Sequence, residues 1–191
     1  MNYYLFQTIN DLAGKYDWID DIMELFAQDI VWIMLAVMVY LWFTGREDNQ
    51  KLVFYSFLSA SVTLLIASML ISPEVNHARP FVEHQVMQLI AHAPDPSFPS
   101  DHASLAFSLA FSILFVKRRL GVVMLCLAIL TGISRVYVGV HYPGDIVGAI
   151  ALSFLVSIIV FKLNSRLDGI PLIIIRMYRR LTRRISSADD K

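Results

Sequence analysis

From residue 25 onward the chain alternates long apolar stretches with short polar interruptions. Five stretches stand out, at residues 25–45, 52–72, 100–116, 120–138 and 144–163. A helix crosses ~30 Å of hydrocarbon in about 20 residues, so this pattern predicts membrane-spanning helices. The third stretch is short by that measure and begins within the polar group Ser100, Asp101 and His102, which predicts a site near one membrane surface. Ahead of the first stretch, residues 3–13 place Leu5, Phe6, Ile9 and Leu12 on one helical face, with Gln7, Asn10 and Asp11 largely off it. That is the pattern of a helix lying in the interface. The first 23 residues lack a basic region followed by a continuous apolar core, so no cleavable signal peptide is expected. No internal repeat or Gly/Ser-rich linker divides the chain.

The expected fold is therefore all-α: a polytopic membrane helical bundle of five to six transmembrane helices, with an N-terminal interfacial helix and a basic C-terminal tail. Residues 1–165 form the integral-membrane domain and 166–191 the juxtamembrane tail. Composition agrees with a bilayer protein: 57% of residues are hydrophobic, 17% are charged and the mean hydropathy is +0.58. A soluble domain carries roughly 25% charged residues. Cys126, the one cysteine, falls in an apolar run and reads as a small packing residue, so neither a disulfide framework nor a thiol metal site is expected. No nucleic-acid partner is expected either, and the oligomeric state is left open.

The net charge is zero, but its distribution is uneven. Arg46, Lys51, Lys117, Arg118, Arg119, Lys162 and the Arg-rich tail fall on one side of the expected spans; Lys15, Arg79 and Arg135 fall on the other. The positive-inside rule then puts the C-terminus in the cytoplasm and the N-terminus outside. In the tail, Arg176, Arg179, Arg180, Arg183 and Arg184 are spaced to meet anionic head groups, although a solvated basic tail has the same composition.

The predicted outer side holds the candidate chemistry: Arg79, Ser100, His102, Arg135, His141 and Asp145. Ionisable groups at a membrane surface are costly, so three separate segments converging there point to a site. In HYPGD, Pro143 suits the first turn of a helix, leaving His141 just before it and Asp145 within it. The carboxylate can turn back to one imidazole nitrogen, fixing the tautomer and leaving the other lone pair nucleophilic. A plain helix cap beside an interfacial histidine fits the same residues. In FPSDH, Ser100 can cap the third span and present backbone N–H groups to an anion, while His102 can donate a proton. Arg79 and Arg135 offer planar forks of donors suited to phosphate; Glu74, Glu83 and Asp101 are the acids that could pair with them instead.

These residues resemble the type-2 phosphatidic acid phosphatase superfamily, with motifs K-x6-R-P, P-S-G-H and S-R-x5-H-x3-D. Arg79-Pro80 matches the end of the first motif, Pro99-Ser100-Asp101-His102 the second, and Ser134-Arg135, His141 and Asp145 the third with its spacing. Ser72 stands where the first-motif lysine would fall, with His77, His84 and His92 as candidate substitutes, and Asp101 stands where the superfamily usually has glycine. Over roughly residues 1–165 the chain looks most like the bacitracin-resistance type of undecaprenyl-diphosphatase. The resemblance implies a lipid phosphatase with His141 as nucleophile, Asp145 orienting it and His102 as proton donor. Arg79, Ser100 and Arg135, with Ser134 and Asp101 beside them, would surround the substrate phosphate. It implies no cofactor or metal, a polyprenyl diphosphate substrate at the outer face of a bacterial membrane, and a role in carrier-lipid recycling. Other phosphorylated lipids, or a non-catalytic protein that binds lipid diphosphates, are the alternatives.

Overall fold

The computed structural model describes residues 2–189, with side chains through residue 182, and its regular elements are all helical. In chain order they are α1 (Asn2–Asn10), α2 (Asp17–Gln28), α3 (Ile30–Phe43) and α4 (Glu47–Ile66), then a π-helical turn (Ala67–Ile71), α5 (Ser72–Val75) and α6 (Pro80–Glu83). An irregular segment leads to α7 (Asp101–Leu114), followed by α8 (Arg118–Tyr137), α9 (Pro143–Leu167) and α10 (Gly169–Asp189).

Three helical stretches are long and apolar enough to cross a membrane: Glu47–Glu83, Arg118–Tyr137 and Pro143–Leu167. The α2–α3 pair makes a fourth if counted as one span. The first apolar stretch, expected as one helix, bends by 46° where α2 meets α3 at Asp29. The second runs past its expected end through the π turn, which immediately precedes Ser72 and Pro73 of α5. Proline has no N–H to donate to the carbonyl four residues back and its ring crowds that carbonyl, and a widened turn accommodates both.

At 14 residues, α7 is shorter still than the 100–116 stretch expected, and it occupies the centre, packed by α4, α8 and α9. Its buried positions run almost all round the helix, from Ala103 and Ser104 to Ser112 and Ile113. The partition is that of a membrane protein. Large apolar side chains such as Trp32, Phe43, Val123, Val147 and Leu155 are exposed, while Ser59, Thr63, Ser104, Ser108, Ser153 and Ser157 are buried. Hydroxyls join the helices: Ser59 Oγ lies 3.0 Å from Ser157 Oγ, Ser108 Oγ 3.1 Å from Thr63 Oγ1, and Ser153 Oγ donates to Ser104 O at 2.9 Å. Small residues allow close approach, and these bonds satisfy groups that lipid cannot.

The N-terminal helix forms, but its inner face differs from expectation. Phe6 and Asn10 are buried, whereas Leu5 and Leu12 are exposed. Asn10 turns inward because it has backbone partners there: its amide donates to Met87 O and Tyr137 O, each at 2.8 Å, and accepts from Met87 N at 3.1 Å. A buried amide with three bonds loses little of what water would offer it. At the opposite end, the basic tail is the helix α10, joined to the bundle by Arg179 donating to Gly45 O and Gln50 Oε1. The side chains of Arg183 and Arg184 lie outside those described.

Candidate active site

Two tight connections build the site. Between α8 and α9 the chain reverses over residues 138–142, with Gly139 at φ +87; a Cβ there would strike Met87 O, so glycine meets both the backbone sign and the close approach. Pro143 opens α9 at its first position, and Asp145 accepts from the Tyr142 backbone N–H at 2.8 Å. Ser100 caps α7, its hydroxyl accepting from Ala103 N at 3.5 Å, while Ser100 N lies 3.4 Å from Asp145 O. Gly148 lets the Phe98 ring lie directly on α9, and this brings the segment before α7 against the start of α9.

At their junction the His141 and Asp145 side chains are almost fully buried, each about 1% exposed. His141 Nδ1 is 3.3 Å from both Asp145 Oδ2 and Ser97 Oγ, and Ser97 donates its own hydroxyl proton to Asp145 Oδ2. On the far side of the ring, Arg79 Nη1 lies 3.0 Å from His141 Nε2. A guanidinium can only donate, so Nε2 must carry the lone pair and Nδ1 the proton. That is the tautomer of a nucleophile. Burial pushes the imidazole pKa down to about 3; the Asp145 bond opposes this shift, and the charges of Arg135 and Arg79 add to it. The ring is neutral at physiological pH.

Arg79 is 3% exposed, and Asp95 holds it: Nε donates to Asp95 O at 3.1 Å and to Oδ1 at 3.0 Å, while Nη1 also donates to Val140 O. Thus the acid on Arg79 is Asp95, and none of Glu74, Glu83 or Asp101 forms a salt bridge to either arginine among the described residues. Arg135 is 1% exposed. Its Nη1 makes one long bond to Ala27 O at 3.4 Å, while Nε and Nη2 have no partner.

The remaining residues divide. His102 is half-buried at the start of α7, within the influence of the Arg135, His92 and Arg79 charges. Asp101 is exposed and shares with His102 a cleft of about 200 Å³ whose apolar wall includes Val31, Trp32, Leu35 and Leu105. Ser134 has turned its hydroxyl back to Leu130 O (2.8 Å) and Thr131 O (2.9 Å) of its own helix. Ser97 and Asp95 are the groups that sequence reasoning missed. The sequence signal was the polar pair itself, set between prolines in PDPSFPSDH next to the second motif.

The chain is 30% identical over 186 residues to the undecaprenyl-diphosphatase BcrC of Bacillus subtilis, covering 97% of this chain and 96% of that protein. It is 31% identical over 192 residues to the bacitracin transport permease protein BcrC of Bacillus licheniformis, covering 100% and 94%. The fold matches the crystal structure of LpxE from Aquifex aeolicus with a TM-score of 0.68 at 23% identity, over 84% of this chain and 94% of that one. The PAP2 superfamily model matches residues 56–168, which include both connections and every buried group around His141, and the chain belongs to that superfamily.

Proposed function

We propose that the protein hydrolyses undecaprenyl diphosphate to undecaprenyl phosphate and inorganic phosphate through a phosphohistidine. The observation that carries this reading is Arg135. A buried guanidinium with two donors unmatched is a costly arrangement that an anion would complete, and its charge acts on an imidazole whose lone pair is already oriented. A binding protein would need the cations but not the tautomer. The name of the Bacillus subtilis relative supports the choice of lipid, and the permease name of the Bacillus licheniformis relative frames the non-catalytic alternative.

In this reading the phosphate draws the Arg79 fork away from His141 Nε2, which frees the lone pair for in-line attack on the terminal phosphorus. The P–N bond forms as the anhydride P–O bond breaks, and His102 gives its proton to the departing lipid phosphate. Arg79, Arg135, Ser100 and the N–H groups opening α7 hold the equatorial oxygens. Asp145, with Ser97 behind it, steadies the ring as it becomes cationic. Water then attacks the phosphorus, His102 takes its proton, the P–N bond breaks and phosphate leaves.

The bent α2–α3 pair, α4, α7, α8 and α9 make five crossings, with the site on the extracytoplasmic side and α10 in the cytoplasm. Residues 1–165 act as the lipid phosphatase domain and 166–191 as its juxtamembrane tail. Carrier-lipid recycling and bacitracin resistance would follow from this activity. Phosphate release from undecaprenyl diphosphate, phosphatidylglycerophosphate and phosphatidate by the purified protein tests the reading. The diphosphate should be cleaved best, and His141→Ala should lose at least about a thousandfold. Full phosphate release by His141→Ala would sink the mechanism, and preference for a glycerophospholipid would sink the substrate.

A further inference from the structure

Four histidines besides the nucleophile lie near this end of the molecule, and the structure sorts them. His102 opens α7. His84 stacks on Tyr3 with ring centres 3.9 Å apart. His77 lies 3.6 Å from Asp145 Oδ1 and 5.0 Å from the Tyr142 ring. His92 alone stands edge-on to the His141 ring, with centres 6.2 Å apart. We propose that His92, held by Asp95, binds the second phosphate of a diphosphate substrate and so sets the preference for diphosphate over monophosphate. This rests on the phosphatase reading above and goes beyond it by assigning a specificity residue.

Geometry supports the assignment at both ring nitrogens. Nδ1 lies 3.1 Å from Ala93 O and 3.4 Å from Asp95 Oδ1, so it carries the proton and faces the loop. Nε2 has no hydrogen-bond partner among the described residues, leaving it for a ligand. The side chain is 22% exposed, as befits the mouth of a site rather than its floor. Asp95 Oδ1 accepts from Arg79 Nε and lies 3.4 Å from His92 Nδ1, so one carboxylate stands beside both the arginine of the first phosphate and the imidazole proposed for the second.

Charge counting agrees. Arg79, Arg135, Ser100 and the helix N-terminus answer the terminal phosphoryl group; a second phosphoryl brings further negative oxygens. The groups facing His92 are Arg79, Arg135, Asp95, Asp101, His102 and His141. In the free protein, burial lowers its pKa, the bond to Ala93 O opposes this, and the charges of Arg79 and Arg135 lower it further. A bound diphosphate offsets those two positive charges and favours the imidazolium, which can then donate from Nε2.

The test compares a long-chain polyprenyl diphosphate with the corresponding monophosphate in mixed micelles, using the full-length protein. His92→Ala should raise KM for the diphosphate about tenfold, the size of one lost charge-assisted bond, with a smaller change in kcat. Its kcat/KM on the monophosphate should fall less than about threefold. His92→Lys should recover most of the diphosphate KM and flatten its pH dependence between about pH 5 and 8, where a histidine titrates. Equal losses on both substrates, or no loss on either, overturn the assignment while leaving the phosphatase reading intact. Failure of the unaltered protein to cleave the diphosphate overturns both. His92→Gln, uncharged and close in size, serves if the alanine variant does not fold.

Discussion

Charged clusters sit at both ends of the same helices, and they differ in whether they satisfy themselves. At the α9–α10 end, Lys51 Nζ lies 3.1 Å from Asp168 Oδ2, and Tyr55 OH lies 2.8 Å from Asp168 Oδ1 and 2.7 Å from Asn164 O. The Tyr55 bond, then the Lys51 bond and charge, hold the Asp168 carboxyl below its ordinary range. Lys51 also lies 3.6 Å from Glu47 Oε1, so the one cation meets two carboxylates and the cluster is satisfied from within. At the other end Arg79, Arg135 and His92 face His141, yet Arg135 keeps two donors without acceptors. Matched groups clamp helices together; a surplus of buried donors marks a place kept for an anion.

The largest effect expected from this contrast is at Arg135. Arg135→Gln should lower kcat/KM for phosphate release about 100- to 1000-fold, as loss of a transition-state donor does. Its melting temperature in detergent should hold or rise, because the guanidinium removed was buried without full partners. Arg135→Lys should recover little, since a single ammonium cannot replace the fork. A large loss of stability would make Arg135 a structural residue and remove the contrast.

A second effect follows from His141. In the free protein its pKa is depressed to about 3 by burial, so the lone pair persists far below the ordinary histidine value of about 6.5. The acid limb of kcat/KM that belongs to this group should therefore lie well below pH 6. Removing one cation in Arg135→Gln should move it upward. The same shift links pH to stability: a depressed folded pKa contributes fully above about pH 6.5 and is lost as pH falls towards about 3. Thermal melts across that window should decline less steeply in His141→Ala. An acid limb near pH 6.5 in the unaltered protein would contradict the buried, neutral ring.

Much of the site was legible because it is local. Pro143 and Asp145 lie within one helical turn, as do Ser100 and His102, so spacing alone predicted their relation to helix ends. The shortness of α7 was legible in the length of its apolar stretch, whereas its central place, packed by α4, α8 and α9, was not. Asp95 and Ser97 were not, because they sit in an irregular segment without periodicity and reach Arg79 and Asp145 only through the tertiary fold. Asn10 was assigned to the polar face because its partners are backbone groups some 77 and 127 residues away. The bend at Asp29 had a visible signal, a carboxylate inside an apolar stretch, but an apolar average conceals a single charge.

Ser97→Ala should have an intermediate effect. The hydroxyl donates to Asp145 Oδ2 and lies beside His141 Nδ1, so its loss should lower kcat several-fold through a less well-held ring while leaving KM nearly unchanged. A KM effect would mean that Ser97 touches substrate directly.

The smallest effect belongs to the satisfied end. Tyr55→Phe removes the one hydroxyl proton shared between Asp168 Oδ1 and Asn164 O and should cost about 1 kcal/mol in a thermal melt. Phosphate release per folded molecule should change less than about twofold, because the removed hydroxyl belongs to a cluster whose cation and carboxylates already pair with one another. If Tyr55→Phe slowed catalysis as much as Ser97→Ala, the two ends would be coupled through α7 and its column of interhelical hydroxyls. A self-contained clamp predicts no such coupling: its loss loosens α4 from α9 without altering the donors proposed to face the phosphate.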